Sequence, residues 1–195
     1  MSLCSFAHAD WMIAKDNKVS VVNSAQLRKD GLLIRDAHME ELDRVSLVIK
    51  DAYLEYKESF PPEHWESYLE NIIDVHSRFG VAELIVAEMN RQVVGTVTLY
   101  IDASLSSQEQ WPRGWASIRL LAVHPTYRSR GIGRALMEEC IRRCRQQNIK
   151  TIGLHTTEIM SVARKMYERM GFVRVPEYDF HHGPGIIVMA YCLQL

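Results

Sequence analysis

The chain has 195 residues, a formal net charge of -1, 47% hydrophobic residues and 24% charged ones. That is the size of one domain and the composition of an ordinary globular protein. The near-neutral charge argues against a dedicated nucleic-acid binder, which is usually basic over its whole domain, and no apolar run is long enough to cross a bilayer.

Residues 1–31 show no sustained hydrophobic period and are read as an N-terminal extension, with Val19-Ser20-Val21-Val22 as a candidate added strand. The opening MSLCSFAHADWMIAKD has an early acid and no apolar core, unlike a signal peptide. The domain proper is expected over 32–195, starting with the strand Leu32-Leu33-Ile34-Arg35. Leu42, Val45, Ile49, Ala52, Tyr53 and Tyr56 then recur at helical spacing. Pro61-Pro62 breaks the chain; Trp65, Tyr68, Leu69, Ile72 and Phe79 mark a second helix, stopped at Gly80. Leu84–Ala87 and Val93–Leu99 read as strands, joined closely enough at Asn90-Arg91-Gln92 for an antiparallel hairpin. Residues 102–114 are polar, with Pro112 and Gly114, and read as a loop. Ile118–Val123 is a short apolar run, a buried central strand that His124-Pro125 ends.

A helix is expected from about Gly131 to Gln147, with Met137, Cys140, Ile141 and Cys144 inward. Glu138, Glu139, Arg142, Arg143 and Arg145 read as its solvated face. Next come the strand Thr151–His155 and a short helix striped by Met160, Ala163, Met166, Tyr167 and Met170, closed by Gly171. Phe172–Val175 and Ile186–Tyr191 are the last strands, with a loop over 178–185. The cysteines are Cys4, Cys140, Cys144 and Cys192; the pair at i, i+4 reads as two small buried hydrophobes, in a reduced, cytoplasmic protein with no metal site.

Strand, basic glycine turn and helix start together make a local anion site between Val123 and Met137. The first amides of a helix lack partners within it, and the helix dipole there favours negative charge. Gly131 and Gly133 keep side chains out of the way, while Arg128, Arg130 and Arg134 add charge. A P-loop pattern is absent, and Leu136 occupies the third position of a dinucleotide fingerprint, so that match fails too. A basic surface turn that merely caps the helix is the plain alternative.

What the turn does fit is Arg128-x-x-Gly131-x-Gly133, preceded by Leu121-Ala122-Val123-His124-Pro125. It resembles the pyrophosphate-binding motif of the GNAT acetyltransferase superfamily. Ala163-x-x-Met166-Tyr167-Glu168-x-x-Gly171-Phe172 resembles that family's second signature, Ala-x-x-Leu-Tyr-Glu-x-x-Gly-Phe. The resemblance covers about 32–193. It implies an α/β (α+β) fold: a mixed, mostly antiparallel central sheet, helices on both faces, and strands splayed at a cofactor cleft. It also implies acetyl transfer from the cosubstrate acetyl-coenzyme A to a primary amine of a small molecule or a protein, by direct transfer in a ternary complex. A homodimer is compatible with it.

Carried over by position, pantetheine would pair with Leu121, Ala122 and Val123, and pyrophosphate would meet Arg128, Ser129, Arg130, Gly131, Ile132, Gly133 and Arg134. An amide near Leu121 would stabilise the oxyanion, an effect of roughly 3–4 kcal/mol. Tyr167 lies on an apolar stripe and by itself reads as a core tyrosine; the resemblance makes it the acid that protonates the departing thiolate. Some relatives carry a glutamate where this chain has Ser117, and many an asparagine where it has Met160. Candidates for the missing base are Glu83, Glu88, His155, His181 and His182, whereas His124 is expected to serve its turn. Arg119 shares a face with Leu121 if no bulge intervenes, and is either a structural ion pair or a contact for an acidic acceptor. Two other classes stay open: a weak or inactive coenzyme A-binding regulatory module, and a nucleotide-binding protein.

Overall fold

The computed structural model describes residues 28–29, 31–106, 111–181 and 187–195. The strand expected at Val19–Val22 and the base candidate His182 lie outside the described residues.

Strands β1 (Arg28–Lys29) and β2 (Leu32–Asp36) lead into helices α1 (Leu42–Tyr53) and α2 (Pro62–Ile73). The hairpin β3 (Glu83–Met89) and β4 (Gln92–Tyr100) follows, then the central strand β5 (Ala116–Val123) and α3 (Ile132–Gln146). The chain ends with β6 (Thr151–Thr156), α4 (Ser161–Arg169), β7 (Val173–Arg174), β8 (Phe180–His181) and β9 (Ile187–Gln194). One sheet runs β1-β2-β3-β4-β5-β6-β9-β7, with β8 on β9. Among the described residues only β5 with β6 pairs in parallel within it, as the α3 crossover between them requires. The β3–β4 turn places both Asn90 and Arg91 at positive φ, 50° and 62°, the backbone of a two-residue hairpin turn.

The sheet carries an apolar layer on each face. On one side Met137, Cys140 and Cys144 of α3, with Tyr167 of α4, pack on Ile85, Val97, Ile118 and Ile152. On the other, Val45, Val48 and Ile49 of α1, with Trp65 and Ile72 of α2, cover Val86, Leu120 and Ala122. A fully buried side chain of this kind contributes about 1.5–3 kcal/mol, so neither face of the central strands tolerates exposure. A third cluster of Ala103, Trp111 and Ala190 covers the far half of the sheet. There Gly153 leaves room for the Trp111 ring, whose atoms would stand 2.7–2.8 Å from a Cβ.

Several expectations are corrected. Helix α2 stops at Ile73, and Phe79 lies beyond it. Arg78 folds back to donate to the carbonyls of Asn71 and Ile72 at 3.1 and 2.7 Å, capping the helix end with a positive charge. The 178–185 loop contains β8, where Phe180 pairs with Val188. The face of α3 expected in solvent is partly buried: Glu139 and Arg143 are only 6% and 8% exposed. Arg143 bonds Glu139 at 2.8 Å and Glu83 at 2.9 Å, and also meets Asp36, tying α3 to β3 and β2. An i, i+4 pair of charges has the same spacing in water or under a sheet edge, so the pattern did not distinguish the two.

Candidate active site

Strands β5 and β6 pair from Ala116↔Ile152 to Ile118↔Leu154 and then part. Beyond that point no strand among the described residues pairs with β5 on its β6 side. Across the opposite ladder Thr96 pairs with Ala122 and Thr98 with Arg119, so Leu120 and Leu121 together stand opposite Val97. This is a β-bulge, and Leu120 adopts φ +53° within it. Left-handed backbone costs a leucine roughly 1–2 kcal/mol, which its burial against α1 and α2 offsets. The bulge corrects the expected alternation. Leu121 turns to the α3 layer, Leu120 and Ala122 to the α1–α2 layer. Arg119 lies on the latter side, close enough to Tyr53 and Tyr68 for its charge to act on both phenols.

At the end of β5, His124 serves the turn as expected: its Nδ1 lies 2.8 Å from Thr126 Oγ1. Ser129 and Gly131 both take positive φ, 62° and 76°. Such a turn directs successive amides to one side, a concavity suited to anions. Gly131 is the N-cap of α3, and the first intrahelical bond runs from Ala135 to the Gly131 carbonyl at 3.0 Å. The amides before Ala135 are therefore outside the helical ladder. The arginines are less available than their number suggests. Arg128 donates to the Val123 carbonyl (3.3 Å), the Ala52 carbonyl (2.9 Å) and Glu55 (2.7 Å), bracing the turn against the end of α1. Arg134 pairs with Glu138 at 2.7 Å, and Arg130 sits 5.4 Å over the Tyr127 ring.

Tyr167 is held by the end of its own helix. Phe172 donates to the Tyr167 carbonyl at 3.0 Å and Gly171 to Glu168 at 3.1 Å, with Gly171 at φ +91°. These are the two bonds of a Schellman motif, which also brings its flanking apolar residues together. The Phe172 and Tyr167 rings stand 5.9 Å apart. The Tyr-Glu-x-x-Gly-Phe part of the second signature is thus a helix stop that fixes one side chain. The residue is 6% exposed, and among the described residues no protein group bonds its hydroxyl. Burial pushes its pKa up, so it stays protonated well above neutrality.

Two cavities of about 510 and 500 Å³ meet at the splay. Tyr167, Leu121, Ala122, Val123, Arg128, Ser129, Gly131, Ile132, Gly133 and Arg134 all line the second cavity; of the expected site residues Arg130 alone does not. The first lies under α1 and α2, walled by Tyr53, Phe60, Tyr68 and Phe180. Arg119, Leu120, His155, Thr156, Met160 and Tyr53 line both. Burial, partly offset by Arg119 and then Arg78, pushes the Tyr53 phenol up to about 12. Sequence reasoning gave the aromatic residues of α1 and α2 to the core and did not single out Thr156 or Thr157. The only available signal was an excess of aromatic residues over what one amphipathic stripe needs.

The base candidates separate. Glu83 is bound to Arg143 and Gln147, and Glu88 to Arg35, both on β3, which β4 separates from β5, and neither lines a cavity. His181 is exposed and lines neither cavity. His155 lines both, with Nε2 donating to the Tyr178 carbonyl at 2.9 Å.

The model of the acetyltransferase (GNAT) family matches residues 46–172, about two thirds of the chain. The chain belongs to that family. Acetyl-coenzyme A is the acetyl donor that GNAT membership assigns. Among curated proteins the chain is 31% identical over 101 residues to N-acetylaspartate synthetase of Danio rerio, covering 52% of this chain and 33% of the relative. It is 31% identical over 94 residues to mycothiol acetyltransferase of Propionibacterium freudenreichii, covering 48% and 28%. The matched segment thus spans about a third of the length of these relatives. A crystal structure of PaiA N-acetyltransferase from Thermoplasma acidophilum in complex with coenzyme A shares the fold at a TM-score of 0.64 and 18% identity, covering 82% of this chain and 97% of that one. No helix among the described residues is long and apolar enough to cross a membrane.

Proposed function

We propose that the chain moves an acetyl group from acetyl-coenzyme A to a primary amine by direct transfer in a ternary complex. The observation that carries this reading is the parting of β5 and β6 after Ile118, with the α3 turn at one end of the gap and Tyr167 on its wall. An extended pantetheine arm takes the place of the missing strand along Leu121, Ala122 and Val123. The amides of Gly131 to Arg134 and the Ser129–Gly131 turn receive pyrophosphate, with the arginines in a lesser role. Acetyl-coenzyme A supplies the activated acyl group. The amine nitrogen bonds to the thioester carbon, an amide near Leu121 bears the oxyanion charge, and the carbon–sulfur bond breaks. Tyr167 gives its proton to the thiolate, while the amine's proton leaves through His155 or water. The domain over 32–195 carries this activity, with 1–31 as an extension. The three cysteines among the described residues, Cys140, Cys144 and Cys192, are free and buried, which fits the reducing cytoplasm.

Direct transfer is favoured because no cysteine lines either cavity among the described residues. Thiol release from acetyl-coenzyme A should need the amine, with no burst in its absence; a stoichiometric burst would mean an acetyl-enzyme. A second reading, a coenzyme A-binding module without turnover, has one observation behind it: no aspartate or glutamate lines the first cavity among the described residues. Tight coenzyme A binding with no thiol release across a broad amine panel would select that reading.

A further inference from the structure

The first cavity has a chemical character of its own. Its polar lining includes Arg119, Ser67, Asn71, Thr156 and Thr157, and no carboxylate among the described residues. Thr156 and Thr157 are 2% and 8% exposed, and neither Oγ1 has a hydrogen-bond partner there. Buried hydroxyls left in that state cost stability, and they recover it when an acceptor atom arrives. A polyamine or an aminoglycoside brings several positive charges and would meet another at Arg119. A carboxylate brings the opposite charge and oxygens for the hydroxyls. The volume, about 510 Å³, suits a small molecule.

We propose that this cavity takes a small primary amine that carries a carboxylate, with Arg119 and the Thr156 and Thr157 hydroxyls reading the carboxylate and the aromatic wall holding an apolar body. The proposal rests on the acetyltransferase reading of the adjoining cleft and adds the acceptor class to it. The Arg119 charge also does part of a base's work. A cation nearby lowers the pKa of an ammonium group, so the bound acceptor loses its proton more readily. Attack needs that neutral amine, and among the described residues no carboxylate lines the cavity to take the proton.

The test is a thiol-release screen of the common amino acids, each paired with its α-amide, with spermidine and an alanyl peptide amide alongside. At neutral pH the amide's less basic amine is the more deprotonated of each pair, so a preference for the acid does not arise from a larger share of free amine. We expect kcat/KM about 10- to 100-fold higher for the best acid than for its amide, the scale of a hydrogen bond to a charged group. Arg119→Met should erase that ratio while coenzyme A affinity by calorimetry stays within a few-fold, and Arg119→Lys should restore part of it. Thr157→Val, the milder change, should raise KM for the acid and leave kcat and coenzyme A affinity near wild type. Equal or better turnover of the amides, spermidine or the peptide would overturn the proposal. So would an acid preference that survives in Arg119→Met. Absence of coenzyme A binding by the wild-type chain would instead overturn the acetyltransferase reading beneath it.

Discussion

Tyr167 sits where the packed core meets the wall of the cleft. Its ring belongs to the α3-side core and its hydroxyl to the cofactor cavity. Tyr167→Phe keeps the ring, the Schellman motif and the contact with Phe172. Turnover should fall by roughly 10² to 10⁴, the range for loss of a general acid, while melting temperature and coenzyme A affinity hold. A loss of stability with turnover intact would make the hydroxyl a structural group. Because burial raises this phenol above its usual value of about 10, its deprotonation should add no alkaline limb to the wild-type kcat profile below pH about 10. The place of Tyr167 on the α4 stripe beside the cleft was legible in the sequence, because the helix and its glycine stop are local features; its proposed role is what the substitution tests. The partners of Arg128 were not legible there: Ala52 and Glu55 lie 76 and 73 residues away, and nothing beside the arginine indicates them.

At the scale of elements, the site depends on how closely α3 approaches the sheet. A Cβ on Gly95 of β4 would stand 3.0 Å from Ile132 Cγ2 and 3.1 Å from the Ala122 carbonyl oxygen. The carbonyl belongs to the sheet ladder and has little room to yield, so Gly95→Ala should push the start of α3 outward. Overpacking of this kind costs about 1–3 kcal/mol, and the melting temperature and coenzyme A affinity should fall together. Gly133→Ala is the contrasting case. Its Cβ would meet nothing closer than Val123 Cγ2 at 3.7 Å, and alanine favours a helix over glycine by up to about 1 kcal/mol. That variant should melt higher yet bind coenzyme A more weakly, since the methyl occupies the phosphate's approach. Unchanged affinity would place the pyrophosphate away from these amides. The strand–turn–helix order was readable from apolar periods and glycines. The bulge at Leu120 was not, because no glycine or asparagine marks its positive φ; only the register against β4 reveals it.

Across the whole molecule, Arg143 joins residues 107 apart in the chain, linking α3 to Asp36 and Glu83. Burial works against the charge of Glu139, but its bonds to Arg142 and Arg143 prevail and lower its pKa. A carboxylate with a lowered folded-state pKa stabilises the protein above its unfolded pKa, about 4.3 for glutamate, and loses that contribution as pH falls through the folded value. The melting temperature should therefore drop on acidification below about pH 4. Glu139→Gln should melt lower at neutral pH and show a shallower acid decline. An identical acid profile would assign the decline to other carboxylates, among them Glu41, whose pKa is lowered too, its bond to Arg35 outweighing the effect of burial.

The parting of β5 and β6 also bears on how the chain survives without its cosubstrate. A gap of that kind is a sheet edge located in the middle of the sheet, and unpaired edges recruit other strands. While the gap is unfilled, a neighbouring unfolded segment can compete for the same backbone groups. Bound along β5 as proposed, coenzyme A would cover that edge and lower the tendency to aggregate. Amide exchange at Leu121 to Val123 reports this directly: any slowing on coenzyme A addition should be confined to the β6-facing amides there and to the first turn of α3. Uniform slowing over the whole domain would mean that the ligand merely stabilises the fold.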